Sequence, residues 1–508
     1  YFLYYKYNNM EARSLPKSIS YEDVLPQAIP AVARRRKYYP QNGTSFNFIG
    51  SREIRIEVGS INSLLDPSHS YLEFECRNTN AAQTFGYDLG GGNCLFSSMR
   101  VEQGGRVLTE IREYNRLHAA ILNYAQDSTN GQFTNSLTSA QRALNGAGGG
   151  AGGMTGRAAN GLGSDTYGNV KHNSDAQIPA GTGYRFTIPV MTGLFTQDKL
   201  IPLPLVRQDA PITLVYEMEQ ADNCGVWSAA PALGDLSIIN IAFNAQLIEV
   251  GQDVIEQMKM MREMSGGQLA ISGQDYEHNS DILPANSVGE QIIRIPGRKR
   301  SMKSLLFSIQ SQTFANGGAG MAVDNCYSLS YAGCANMLEY QLKVGSVVYP
   351  PTPIQAFQAE PVANAGELER GECIMELAKS LGTLGFRNPT GRLNTITYGV
   401  AGNGVSGITN GDTGDGAGNT LAPQSNDVHA VCPFGLDLDA FNHTAIQAGV
   451  DSETLAQETN LILNIGPGDP AAGVPIVGSG LQPKIVFCYV LYDQHYYFND
   501  DGMITFSN

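Results

Sequence analysis

The chain carries one local pattern twice. Met99-Arg-Val-Glu-Gln-Gly-Gly-Arg-Val-Leu-Thr-Glu-Ile111 alternates apolar and polar residues on both sides of Gly104-Gly105, and Met337-Leu-Glu-Tyr-Gln-Leu-Lys-Val-Gly-Ser-Val-Val-Tyr349 does the same around Gly345-Ser346. Glycine supplies the positive φ that tight two-residue turns require, so both stretches read as β-hairpins. Gly345 follows Gly105 by 240 residues.

The spacing extends beyond the hairpins. Glu53–Val58 finds a counterpart in Glu290–Ile295, Ile212–Tyr216 in Asn460–Asn464, and Ile238–Phe243 in Lys484–Val490. Met191-Thr-Gly-Leu-Phe195 and Pro433-Phe-Gly-Leu-Asp437 hold matching places ahead of the Ile212 and Asn460 strands. Solenoid repeats recur every 20–50 residues or so, and a period this long is therefore a whole domain. Two β-domains of like topology in tandem are expected.

A chain of 508 residues is long enough for two substantial cores. Hydrophobic residues make up 42% of it and charged residues 16%. The usual charged fraction is roughly 25%, so part of the exterior is expected to face protein instead of water. The 57 glycines and 24 prolines suit many short strands joined by turns. A net charge of −15 argues against a nucleic-acid binder in its own right, which needs a basic face. Positive charge is local, at Arg34-Arg-Arg-Lys37 and Arg298-Lys-Arg300. Such runs are ordinarily solvated or intersubunit charges. The sharper alternative for the first run is an N-terminal arm touching an acidic neighbour, a lipid headgroup or packaged genome.

Catalytic and cofactor signals are weak. The eight cysteines include no C-x-x-C pair, which disfavours zinc and redox motifs, and several lie in apolar strand-like runs expected to bury reduced thiols in a cytosolic assembly site. The seven histidines show no metal-binding spacing and no local catalytic triad. Two G-x-G-x-x-G matches, at Gly148 and Gly402, run into more glycine instead of a helix that would hold a pyrophosphate. Gly411-Asp-Thr-Gly-Asp-Gly416 lacks the acidic residue that closes a calcium loop. No cofactor is expected. No apolar stretch reaches membrane-spanning length, Tyr1–Tyr5 is too short for a signal peptide, and Met10 is the first candidate start.

Along the chain, residues 1–44 read as an extended arm because four prolines exclude long helices. The first domain follows at 45–250, with strands at Phe46–Val58, Tyr71–Cys76, Tyr184–Val190, Ile212–Glu217 and Leu236–Val250. Ile111, Tyr114, Leu117, His118, Ile121 and Leu122 recur at helical spacing. Gly146–Gly153 offers almost no side chain to bury and belongs to a loop insertion of about residues 126–182. Residues 251–266 form a linking helix, and 267–508 repeat the programme, with a helix near Glu367–Leu381 and an insertion of about 388–427.

This arrangement resembles the double jelly-roll major capsid proteins of icosahedral double-stranded DNA viruses, particularly those of virophages and Polinton-like viruses. The residues that carry the resemblance are Leu64-Leu-Asp-Pro67 within Ser60–Tyr71, Thr192-Gly-Leu-Phe195, Lys199-Leu-Ile-Pro-Leu-Pro-Leu205 and the run Tyr492–Phe506. It implies an all-β fold of two tandem eight-stranded jelly-roll sandwiches with short packed helices and long apical loop insertions. It also implies homotrimers forming pseudo-hexameric capsomers that tile a shell around double-stranded DNA. Penton and minor or cement proteins would be partners, and the virion capsid, assembled inside the host cell, would be the location. The arm would lie beneath the shell, where Arg34, Arg35, Arg36 and Lys37 would contact genome or an inner membrane. The alternatives weighed are a trimeric β-sandwich spike or receptor-binding protein and, third, a sandwich-class glycosidase.

Overall fold

The structure, a computed structural model, describes residues 31–122, 177–311, 337–356, 371–382, 433–439, 449–453, 458–466 and 483–507, apart from positions 84, 88–90, 179, 198, 228–230 and 285–286. Residues 1–30, most of the first insertion and all of the second lie outside the described residues.

The first sandwich contains β1 (Ala31–Tyr38), β2 (Ser45–Asn47), β3 (Glu53–Val58), β4 (Ser63–Asn78), β5 (Phe85–Tyr87), β6 (Phe96–Gln103) and β7 (Arg106–Arg112). A single turn of helix, α1 (Tyr114–Arg116), runs on into a π-turn at Leu117–Ile121. After the insertion come β8 (Gln177–Ile178), β9 (Gly183–Pro189), β10 (Ile212–Met218), β11 (Gly225–Trp227) and β12 (Leu236–Val250). One sheet has the order β1-β12-β4-β9, with β2 also on β12, and the facing sheet β3-β10-β6-β7. Short strands β11-β5-β8 form a small third sheet.

Helix α2 (Gln252–Met264) links the halves. The second sandwich contains β13 (Gln268–Leu283), β14 (Gly289–Ile295), β15 (Met302–Ser311), β16 (Met337–Val344), β17 (Val347–Gln355), α3 (Gly371–Ser380), β18 (Phe434–Asp437), β19 (Thr459–Ile465), β20 (Lys484–Asn499) and β21 (Ile504–Ser507). Its sheets are β13-β20-β15-β18, with β21 also on β20, and β14-β19-β16-β17. Eight strands therefore recur in the same order and pairing: β1, β3, β4, β6, β7, β9, β10 and β12 correspond to β13, β14, β15, β16, β17, β18, β19 and β20. This is a double jelly roll, as the resemblance implied. The chain between the β7-type and β9-type strands is long in both halves, so the two expected insertions leave equivalent corners.

The duplication reaches individual rings. Phe74 on β4 stacks on Phe186 of β9 at 5.6 Å and meets Phe96 of β6 edge-on at 5.3 Å. Phe307 on β15 likewise stacks on Phe434 of β18 at 5.1 Å and meets Tyr340 of β16 edge-on at 5.4 Å. Each cluster closes the space between two sheets whose inward residues alternate with outward ones. Edge-on and offset contacts of this kind add about 0.5–1.5 kcal/mol to area burial.

Both hairpin turns have the expected geometry, with φ of 57° and 81° at Gly104 and Gly105 and 60° at Gly345. Three expectations are corrected. Ala31–Tyr38, assigned to the arm, pairs with β12 along its whole length, so the first sandwich begins before residue 45. The stretch Phe46–Val58 is two strands, β2 and β3, belonging to different sheets. The helical spacing from Ile111 to Leu122 also overreaches, because Ile111 lies within β7 and the helix starts at Tyr114.

Candidate assembly surfaces and the interdomain seam

Those eight-stranded sandwiches meet along a seam built largely from the signature segments of the sequence. Gly193, in Thr192-Gly-Leu-Phe195, lies against Gly273 on β13, so closely that a Cβ on Gly273 would overlap the Gly193 carbonyl oxygen. Beside it, Thr109 on β7 donates its hydroxyl to the Asp275 carboxylate on β13. The backbone N–H groups of Gly193 and Tyr276 donate to the same carboxylate. Burial dominates these contacts and raises the Asp275 pKa to about 6, even with Lys299 opposing it.

The terminal run Tyr492–Phe506 forms the other side. Gln494 Nε2 donates to the Leu108 carbonyl at 3.4 Å, and Gly502 O accepts from Arg207 N at 3.0 Å and Gln103 Nε2 at 2.8 Å. Gln103 Oε1 in turn accepts the Ile504 N–H at 2.6 Å. Where α1 ends, Arg116 lies 4.6 Å from the Phe487 ring centroid and donates to Gln310 at 3.1 Å. Tyr489 Oη donates to the Glu113 carbonyl at 2.9 Å. Buried apolar side chains continue from one sandwich into the other through this region. The remaining two signature segments meet each other: Leu65 and Ile201 exchange backbone hydrogen bonds of 2.9 and 2.8 Å.

Charge is buried in the second sandwich beside the seam. Lys303, with a side chain 0% exposed, stands 3.3 Å from Asp439 and 3.7 Å from Asp493. Ser301 donates to Asp493 at 2.7 Å. Lys299 pairs with Glu277 at 2.7 Å and lies 3.7 Å from the Tyr492 ring centroid. His278, ringed by Phe487 and Tyr489, is held neutral by burial, with its pKa down at about 4. His118 in the π-turn is pushed down to about 3 by the same cause.

The four cations singled out from sequence all sit on β1, an edge strand. Arg34 pairs with Glu249 at 3.2 Å and Lys37 with Glu73 at 2.9 Å, both across to their own sheet. Arg35 donates to Asn244 at 2.9 Å, and Arg36 lies 4.9 Å from the Tyr38 ring centroid. In register, Arg34 faces buried Leu247 and Arg36 buried Ala245. Charges at such places keep a free edge from pairing with other strands. Arg300 in the second run pairs with Glu453 at 2.7 Å.

Sequence reasoning missed Asp275, Thr109, Gly273 and Lys303. Isolated polar residues in strands give no spacing signal, and only tertiary contact brings these together. Ser68, His69 and Asp66 also cluster, but Ser68 Oγ and Asp66 Oδ2 both approach His69 Nδ1, at 3.1 and 2.8 Å. A triad needs its acid and its nucleophile on opposite ring nitrogens, so this is a turn motif. The five described cysteines, Cys76, Cys94, Cys224, Cys373 and Cys488, are buried, while Cys326, Cys334 and Cys432 lie outside the described residues. Among the described residues, no group of three or more His, Cys, Asp or Glu side chains is placed to hold a metal ion, and no helix is long and apolar enough to cross a membrane.

The double jelly roll is a fold also found in a virus capsid. Among solved structures, the chain is similar to VP54 of PBCV-1, as fitted into a cryo-EM reconstruction of the virophage Sputnik, with a TM-score of 0.56 at 9% identity over 96% of this chain and 99% of that one. It is similar, too, to a subunit of the quasi-atomic PBCV-1 virus capsid, with a TM-score of 0.54 at 10% identity over 96% and 99% of the two chains. No family model matches the sequence, and no curated protein matches it.

Proposed function

We propose that this chain is the major capsid protein of an icosahedral double-stranded DNA virus, a structural subunit and not an enzyme. The observation that carries the reading is the recurrence of eight strands in identical order in both halves, in an architecture matched end to end by PBCV-1 capsid protein structures. Two sandwiches per chain let three chains present six similar lobes, which gives a trimer the outline of a hexagonal tile. A three-fold ring requires a heterologous contact that closes after three copies. An obligate contact of that kind buries more than about 2,000 Å² in total, enough to account for the sparse surface charge. Apolar burial of about 25 cal/mol per Å² drives association, and lost conformational and rigid-body freedom offsets most of it.

The capsomers would then tile the shell, with penton and minor proteins at positions the trimer does not fill. Sedimentation of the purified protein tests the first step, a stable trimer being expected and a stable monomer contradicting it. Electron microscopy tests the second. Hexagonal capsomers or closed shells support the proposal, whereas isolated fibres would favour a spike.

A further inference from the structure

Lys303 lies on β15, Asp493 on β20 and Asp439 just past the end of β18, the strands that flank β15 on either side. The backbone fixes the three residues against one another. The Leu438 N–H donates to the Lys303 carbonyl at 2.8 Å, and the Asp493 N–H donates to the Ser301 carbonyl at 3.1 Å. Their side chains are 0%, 1% and 1% exposed for Lys303, Asp439 and Asp493, and the Lys303 ammonium stands 3.3 Å from Asp439 Oδ2 and 3.7 Å from Asp493 Oδ1. Ser301 donates to Asp493 Oδ2, which leaves Oδ1 toward the amine. Ion pairs shut away from water commonly lose more hydration energy than their attraction returns. The fold does not demand this one. Ser70 precedes Phe74 as Lys303 precedes Phe307, and Met191 follows Phe186 as Asp439 follows Phe434, so the first sandwich has neither partner.

We propose that Lys303 and Asp439 condense into an isopeptide bond, Nζ to Cγ, with Asp493 moving the protons. The ion pair is the reactant. Asp493 takes one proton from the ammonium, and the freed amine forms the N–C bond at Cγ of Asp439. A second proton passes from nitrogen to one carboxyl oxygen, and Asp493 returns the first to the same oxygen. That oxygen leaves as water when its C–O bond breaks, the other becomes the amide carbonyl, and Asp493 ends as it began. Holding amine and carboxyl in contact supplies the proximity that such a condensation lacks in solution. A dry core protects the product from hydrolysis. The bond forms within one chain and does not depend on assembly. It joins β15 to the chain leaving β18 and so closes the stretch that carries the second insertion, about residues 388–427. A cross-link around so long a stretch restricts the unfolded chain most.

Mass spectrometry of the folded, full-length protein tests the bond. Wild type is expected to be lighter than its sequence by one water, and digestion in denaturant is expected to release one branched peptide joining Lys303 to Asp439. Asp439→Asn is expected to close the same bond with loss of ammonia in place of water, and Asp439→Ala to keep its full mass. Asp493→Asn is expected to slow closure by about 100-fold or more, the usual contribution of a positioned acid–base group. Wild type at full mass with a linear Lys303 peptide overturns the proposal, and so does a water lost without a branch. A branch to Asp493 overturns the assignment of electrophile and base, as does an Asp493→Asn variant that closes at the wild-type rate. Should the variants not fold, the wild-type mass and peptide decide.

Discussion

Gly193 and Gly273 touch backbone to backbone where the two sandwiches meet, leaving no room for a methyl group between them. Only glycine permits so close an approach of two chains. Gly273→Ala is therefore expected to force the seam apart and cost about 1–3 kcal/mol, the usual scale of overpacking. Chemical denaturation measures it, and an unchanged midpoint would contradict the geometry.

Asp275 makes the seam sensitive to pH. Its folded pKa, about 6, lies above the ordinary aspartate value of 3.8, so the native state binds the proton more tightly than the unfolded chain. Its contribution is therefore full below pH 3.8 and is lost as pH rises through about 6. His118 and His278 act oppositely: their folded values of about 3 and 4 lie below 6.5, so their contribution is full above 6.5 and is lost as pH falls through those values. The difference in stability between wild type and Asp275→Asn is expected to change across pH 4–7 in the direction of relative wild-type loss at higher pH. Denaturation curves at several pH values check the slope, and parallel profiles would contradict the assignment.

Lys303 holds two buried carboxylates, Asp439 and Asp493, in one polar pocket. Lys303→Met leaves both without that charge and is expected to cost about 3–5 kcal/mol. Replacing the carboxylates as well, in Lys303→Met/Asp439→Asn/Asp493→Asn, is expected to recover a large part of the loss. Urea unfolding of both variants reads the outcome.

Cys488 lies fully buried on β20 with its thiol pushed up to about 12, and Cys76 on β4 is raised by burial in the same way. Neither forms the reactive thiolate at neutral pH. Peptide mapping after mild alkylation is expected to find both unmodified in the native protein and fully modified in denaturant.

The tandem duplication, both hairpins, β12 and the linking helix were legible before any coordinates, because each carries a clean period or a glycine turn. The strands β1 and β13 were not. The first reads as a basic arm, since four cations hide the alternation of an edge strand. The second, Gln-Leu-Ala-Ile-Ser-Gly-Gln-Asp-Tyr-Glu-His-Asn-Ser-Asp-Ile-Leu, is largely polar because it meets the polar seam as well as a core. β13 thus escapes notice because part of its partner surface, Thr109 on β7, lies outside its own sandwich.

The sequence by itself determined that there are two like β-domains, where their turns fall and that no local motif supports chemistry. Only the tertiary structure decided how the halves lock, which carboxylate is buried between them and that the four-cation run is a strand paired with β12. Periodicity reports the layer a residue faces within its own sheet, whereas a contact between domains joins residues whose separation along the chain leaves no pattern to read.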